Sequence, residues 1–169
     1  CWPGPCAQAA AARIGLRRVQ THLLTVHFPA GRDIPQIKKR QQLWDRAVQI
    51  LGALRASGAE RVMLLGDVNS TDYLEDRASE RTAIARRLDA AKLSLLTEDL
   101  RCSAYWQPRA GGQLVPSVLD HVVASPELSV RSEPSPHGLC AQLGCEPTAQ
   151  APADFAAVSD HCPIVLTVR

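Results

Sequence analysis

Two rhythms of apolar positions run through this chain. The first is a set of short runs that read as strands. Arg13 to Val19 and His22 to Phe28 form two of them, joined by a polar turn at Gln20 and Thr21, with Pro29, Ala30 and Gly31 closing the second. Val62 to Leu65 is a third, bounded by Arg61 and Gly66 and apolar throughout, as in a buried strand. Val118 to Ser125 is a fourth, and a last strand opens at Pro163, where Pro is tolerated. The second rhythm is helical. Trp44, Ala47, Val48, Leu51 and Leu54 recur at helical spacing between Pro35 and Ser57, and Gly58 ends that helix. A second helix is expected over Arg81 to Ala91. Residues 7–12, an Ala-rich run, follow neither rhythm, nor does Leu93 to Ser103. Ser132 to Ala157, rich in Pro, Ser, Gly and Ala, is the longest irregular stretch.

Strands mixed with amphipathic helices give an α/β fold, and 169 residues at 46% hydrophobic suffice for one domain with a real core. No apolar run approaches the length needed to span a membrane, and the start lacks a signal-peptide pattern. A net charge of +2 does not by itself imply nucleic acid, but 16 of the 19 basic residues are Arg, which suits phosphate contacts. Six cysteines is a high count for a cytosolic domain. Cys1 with Cys6, and Cys140 with Cys145, are plausible disulfides, and no CxxC metal spacing occurs. The cysteines lean towards an extracytoplasmic, secreted or periplasmic setting, against the alternative of six unrelated thiols. The start at Cys1, without Met, reads as a processed chain or a fragment.

The candidate chemistry lies where strands end. Asp67 and Asn69 follow the Val62 to Leu65 run, two positions apart, and alone they would read as a strand and an Asx turn. His22 and His27 are an odd number apart on one strand and face opposite ways, and His27, before the Pro-Gly loop, is the better site candidate. Asp120 sits inside an apolar strand and needs a partner. Asp160 and His161 occupy a turn before the last strand. Together these residues are the inventory for metal-assisted phosphoester hydrolysis: hard oxygen ligands for Mg²⁺, and a His oriented by a carboxylate to take a proton from water. Tyr105 and Trp106 introduce a Gly-rich loop and fit the rim of a ligand site or, equally well, a core with a wet edge. Lys38, Lys39 and Arg40 read as a solvated helix start, and Ser70 to Glu80 as a polar surface loop.

Four motifs in this order, VHF (His27), GDVN (Asp67, Asn69), LDHVVAS (Asp120) and SDHCPI (Asp160, His161), resemble the endonuclease/exonuclease/phosphatase superfamily, the DNase I-like fold. The resemblance implies a four-layered α/β (α+β) sandwich of two mostly antiparallel sheets flanked by helices. It further implies a phosphodiesterase or phosphatase dependent on Mg²⁺ (or Mn²⁺/Ca²⁺), active as a monomer on a phosphoester, possibly nucleic acid. Within it His161 would be the general base, polarised by Asp120. Asp67 and Asn69 would position the nucleophile and phosphate oxygens, Asp160 would be a metal ligand, and His27 would bind or protonate phosphate oxygen on the leaving side. One departure stands out. The family's metal-binding Glu comes from strands before the His27 strand, whereas residues 1–32 contain no carboxylate. The resemblance therefore covers residues 13–169, as the C-terminal part of a single domain incomplete at its N-terminus, with residues 1–12 an irregular segment. Such a piece is expected to be weakly active or inactive alone. The competing class is a binding domain that keeps the fold without the chemistry. Within the enzyme class a phosphatase or phospholipase acting on lipid or small phosphoesters stands beside the nuclease-like reading.

Overall fold

The computed structural model describes residues 8–16, 19–70, 78–109, 112–149 and 159–169. In chain order the elements are β1 (Gln8–Leu16), β2 (Val19–His27), α1 (Ile34–Ala56), β3 (Arg61–Asp67), α2 (Ala78–Ala91), β4 (Ser94–Leu95), β5 (Ala104–Trp106), β6 (Val115–Ser117), β7 (Asp120–Ala124), β8 (Ser135–Pro136), α3 (Leu139–Gln142) and β9 (Ile164–Val165). Five strands form one mixed sheet in the order β1-β2-β3-β7-β4, and β5-β6 and β8-β9 are two-stranded pairs. The α/β class expected from the two rhythms is the class observed.

The first hairpin differs from its expected form. Gln20 and Thr21 lie inside β2, paired with Gly15 and Ile14, and the connection falls at positions 17–18, outside the described residues. Residues 8–12, expected to be irregular, belong to β1. An Ala run carries no alternation to read, so pairing with β2 decides its conformation. α1 begins where the sequence indicates: Asp33 caps it by accepting the Gln36 N–H at 2.9 Å, and Pro35 sits in its first turn.

The mixed sheet is buried on both faces. Leu24, Val26, Val62, Leu64 and Val123 pack under the helices with Trp44, Ala47, Leu51, Ile84 and Leu88. Met63, Val122 and Ala124, with Leu23 and Leu65, face the other way and meet Leu128, Leu166 and Val168. Because side chains alternate along a strand, this assigns the polar residues at the strand ends. His27 follows Leu23, Asp67 follows Met63 and Leu65, and Asp120 precedes Val122 and Ala124. All three lie on the face away from the helices. His22 and His121 lie on the helix side.

Two expectations about charge are corrected. Arg40 is not a solvated residue of the helix start. It is buried, and its Nε and Nη2 donate to both carboxylate oxygens of Glu80 at 2.8 and 2.9 Å. Its Nη1 donates to the Pro29 and Gly31 carbonyls at 3.2 and 2.6 Å. Glu80 is not a loop residue either, because α2 starts at Ala78 and carries Glu80 inward. Charge alone misleads here, since a paired charge can be buried where an isolated one cannot.

Gly66 shows how tightly β2 and β3 meet. Its φ is +140°, and a Cβ there would lie 2.0 Å from the Val26 carbonyl oxygen. Gly66→Ala is expected to destabilise the chain by about 2–3 kcal/mol, read as a lowered urea midpoint. A change below about 0.5 kcal/mol, the scale of a neutral surface substitution, would show that this approach is not needed.

Candidate active site

The register of the sheet builds the site. His27 pairs with Asp67 across the parallel β2–β3 ladder, and Asp67 pairs with Asp120 across the antiparallel β3–β7 ladder. Three polar residues thus form one row across adjacent strands about 5 Å apart, on the same face and at the sheet's rim. The fourth member comes from elsewhere. His161 forms an isolated bridge with Ala104 of β5, which swings its imidazole over the end of the row.

His161 Nδ1 lies 2.8 Å from Asp120 Oδ2, and its Nε2 lies 3.9 Å from Asp67 Oδ2. His27 Nε2 approaches the same Asp67 oxygen at 3.4 Å. Asp67 is therefore flanked by two imidazoles, and both are more exposed than it is, at 59% and 31% against 15%. A ligand arriving from solvent meets the imidazoles first.

Asn69 turns out of β3 with φ +50°, a left-handed conformation that Asn tolerates. Its backbone N–H donates to Asp67 Oδ1 at 2.8 Å, closing an Asx turn. Its Nδ2 donates to Asp67 Oδ2 at 2.7 Å and to the Phe28 carbonyl at 2.9 Å. The side-chain N–H donors are thus committed to fixing the Asp67 carboxylate and to tying the β3 end to the chain leaving β2. The turn and the site are the same object.

Ser103 carries no motif, and sequence reasoning missed it. Its buried Oγ accepts the backbone N–H groups of Leu119 and Asp120 at 2.8 and 2.9 Å, holding the start of β7. Its carbonyl accepts the Cys162 N–H, and the Tyr105 N–H donates to the Asp160 carbonyl, both at 2.8 Å. The His161 segment is thereby sewn to the chain that holds Asp120. The predicted Cys140–Cys145 bridge is corrected: the disulfides are Cys102–Cys145 and Cys140–Cys162. The turn after α3 carries the two neighbours in sequence to different partners, one beside Ser103 and one beside His161. Cys1 and Cys6 lie outside the described residues.

The electrostatics follow from this geometry. The hydrogen bond to Asp120, with the nearby charges of Asp120, Asp67 and Asp160, outweighs burial and raises the His161 pKa to about 9. Burial pushes the Asp67 carboxyl above its ordinary value, with Asp120 adding to it, against the pull of the Asn69 N–H and the two imidazoles. His121, next to Asp120 but on the opposite face, is a different case. It is fully buried against Thr97 Oγ1 at 2.9 Å, and desolvation lowers its pKa to about 4, so it stays neutral.

The Mg²⁺ expectation meets an obstacle. Among the described residues no group of three or more His, Cys, Asp or Glu is placed to hold a metal ion. Both Asp67 oxygens already accept from Asn69, and Asp160 is exposed at the edge. The described residues alone therefore do not complete the ligand set of a divalent cation. At the rim Arg32 stacks on Trp106, its Cζ 4.3 Å from the ring centroid, so the loop after His27 reaches the strand that anchors His161. Tyr105 itself is fully buried beside the bridged cysteines, in the core and not on a rim, while Trp106 is part-buried under Arg32.

No family model and no curated protein sequence matches the chain. Solved structures do. Those similar to it include D. rerio TDP2 complexed with single-strand DNA product, at 15% identity and TM-score 0.56 over 94% of this chain and 60% of that one. A mannosyl-6-phosphatase from Bacteroides thetaiotaomicron is 14% identical, with TM-score 0.55, over 90% of this chain and 52% of that one. An endonuclease/exonuclease/phosphatase from Beutenbergia cavernae is 13% identical, with TM-score 0.63, over 94% and 38%. The chain spans between 38% and 60% of the length of these structures. The fold is the DNase I-like fold of endonuclease/exonuclease/phosphatase structures.

Proposed function

We propose that this chain, built on the endonuclease/exonuclease/phosphatase fold, serves in hydrolysis of phosphoester bonds, with His161 and Asp120 as the proton-transfer pair. The observation that carries this reading is the 2.8 Å contact between His161 Nδ1 and Asp120 Oδ2, which leaves Nε2 turned towards Asp67 and the open rim. In the neutral imidazole, Asp120 holds the remaining proton on Nδ1 and so leaves the Nε2 lone pair to accept. A water attacking phosphorus then loses its proton to His161 Nε2, and the resulting imidazolium is stabilised by Asp120 and Asp67. As the new P–O bond forms, the bond to the leaving oxygen breaks. His27, on the far side of Asp67, is placed to meet a phosphate oxygen.

Mg²⁺ dependence is part of the proposal on the strength of the fold likeness alone. The bound cation would neutralise phosphate charge, and its ligand set is not complete among the described residues. Asp160 is the proposed ligand within this chain. The substrate class proposed is nucleic acid, acted on in a nuclease-like manner by a monomer. It is supported by the Arg-rich composition and by single-strand DNA in one structure of the same fold. The two buried disulfides support an oxidising, extracytoplasmic location. No helix among the described residues is long and apolar enough to cross a membrane.

A second reading, a binding domain without turnover, draws on the incomplete metal set. One assay separates the two: the longest natural protein containing these residues, with Mg²⁺ or EDTA, on plasmid DNA, RNA and bis-p-nitrophenyl phosphate. The proposal expects Mg²⁺-dependent cleavage of at least one of them. Turnover of a sugar phosphate or lipid head group instead would sink the nuclease version, and no turnover of any phosphoester would favour the binding domain.

A further inference from the structure

The segment that carries His161, residues 159–163, contains no helix and no strand. A general base displaced by an ångström is a poor base, so something outside regular structure must hold it. Its described anchors include the backbone hydrogen bonds at Asp160, Cys162 and Pro163, the His161 N–H to Ser159 Oγ, the His161–Asp120 contact, the bridge to Ala104, and the Cys140–Cys162 disulfide immediately after His161. The Cys140 N–H also points at Cys162 Sγ, 3.1 Å away. The second disulfide joins Cys145 to Cys102, the residue before Ser103, and Ser103 is what holds the Asp120 backbone. One short piece of chain, residues 140–145, is therefore cross-linked beside His161 at one end and, at the other, beside the Ser103 that accepts the Asp120 N–H.

The packing around that turn assigns the bridges a local task. Of the six buried residues in this small cluster, four are the bridged cysteines; Tyr105 and Leu114 are the other two, and the part-buried Leu139 and Leu143 pack against it. The two large apolar clusters on either face of the mixed sheet contain no cysteine. The main fold thus rests on burial of aliphatic side chains, whereas the His161 corner rests on covalent links.

We propose that the Cys140–Cys162 and Cys102–Cys145 bridges are positioning elements for His161 and Asp120, so that the pair is assembled only in the oxidised chain. This deepens the hydrolase reading and rests on it. Each bridge forms when two thiols give up two electrons and two protons to a disulfide oxidant, which leaves as its dithiol. The four sulfurs are buried, so the state set by oxidation persists instead of exchanging with solvent thiols. A reducing compartment would hold the same chain folded but unassembled at this corner.

The test is Cys140→Ala/Cys162→Ala in the full-length protein, with wild type in parallel. Two readouts are taken at a temperature where far-UV circular dichroism shows both folded: amide hydrogen exchange at Tyr105 and at position 162, and steady-state kinetics on the substrate that wild type turns over. The expected result is loss of protection at those two amides and a fall in kcat of about 10²-fold, the scale of a misplaced general base, with KM within about twofold. Guarded amides together with kcat within about twofold of wild type would overturn the inference. So would loss of the whole fold, because the bridge would then support the domain and not the pair. If wild type itself hydrolyses no phosphoester, the hydrolase reading fails, and the exchange readout still decides whether the bridge holds the His161 corner.

Discussion

His161→Ala should lower kcat/KM for phosphoester hydrolysis by about 10³-fold, the middle of the range for removing a positioned general base, while leaving the chain folded. The side chain is partly exposed and packs into neither large cluster, so its removal opens no large cavity. Asp120→Asn should fall nearly as far, because the carboxamide cannot hold the imidazolium and can turn an N–H towards Nδ1, favouring the wrong tautomer. The two losses should not add, since both remove one device. His27→Ala is a contrast. Its imidazole reaches Asp67 at 3.4 Å but not the pair, so a smaller loss is expected. Kinetics on the four proteins check this order, and activity surviving in His161→Ala would show that the assigned base is wrong.

Arg40→Met should be the most destabilising single change of charge. It removes the guanidinium that covers both oxygens of the buried Glu80 carboxylate, and breaking such a buried ion pair costs about 3–5 kcal/mol. The double change Arg40→Met/Glu80→Met should recover much of that loss, because two apolar side chains of similar volume need no partner. It should not recover the loop. Arg40 Nη1 also holds the Pro29 and Gly31 carbonyls, and Phe28, one residue earlier, accepts from Asn69 through its carbonyl. Stability restored with activity still reduced would separate the two roles of Arg40. Urea unfolding and kcat/KM, measured on the same preparations, report them.

The site was more legible in the sequence than the packing that supports it. Strand alternation and the position of each residue at the end of an apolar run are local properties, and they singled out His27, Asp67 and Asp120; their shared face comes from the packing of the sheet. The structure adds the register that makes them a row. Asp67 and Asn69 followed from the strand and its Asx turn, and Asp120 from being a carboxylate in an apolar strand. All the failures but one are non-local. Arg40 and Glu80 are 40 positions apart, and nothing in either neighbourhood announces a buried pair. Ser103 does its work through a hydroxyl on backbone N–H groups 16 and 17 residues away. Cys140 and Cys145 are close in sequence, yet each bonds a partner 22 or 43 positions off, because the turn between them points them apart. The Gln20–Thr21 turn failed for the opposite reason: an Ala-rich partner strand has no pattern to set the register.

The pH dependence of kcat/KM tests the central assignment most directly. The Asp120 hydrogen bond keeps His161 protonated up to about pH 9 in the folded chain, and only the neutral imidazole can accept a proton. Stability runs the other way. The His161–Asp120 interaction contributes fully below pH 6.5, the ordinary histidine value, and is lost as pH rises through about 9, so a rising rate would not reflect a firmer fold. For the wild-type protein the account predicts that kcat/KM climbs about tenfold per pH unit from pH 7 and levels off near pH 9, with that limb missing in His161→Ala. A rate that falls through pH 9, or a profile unchanged by His161→Ala, would contradict it.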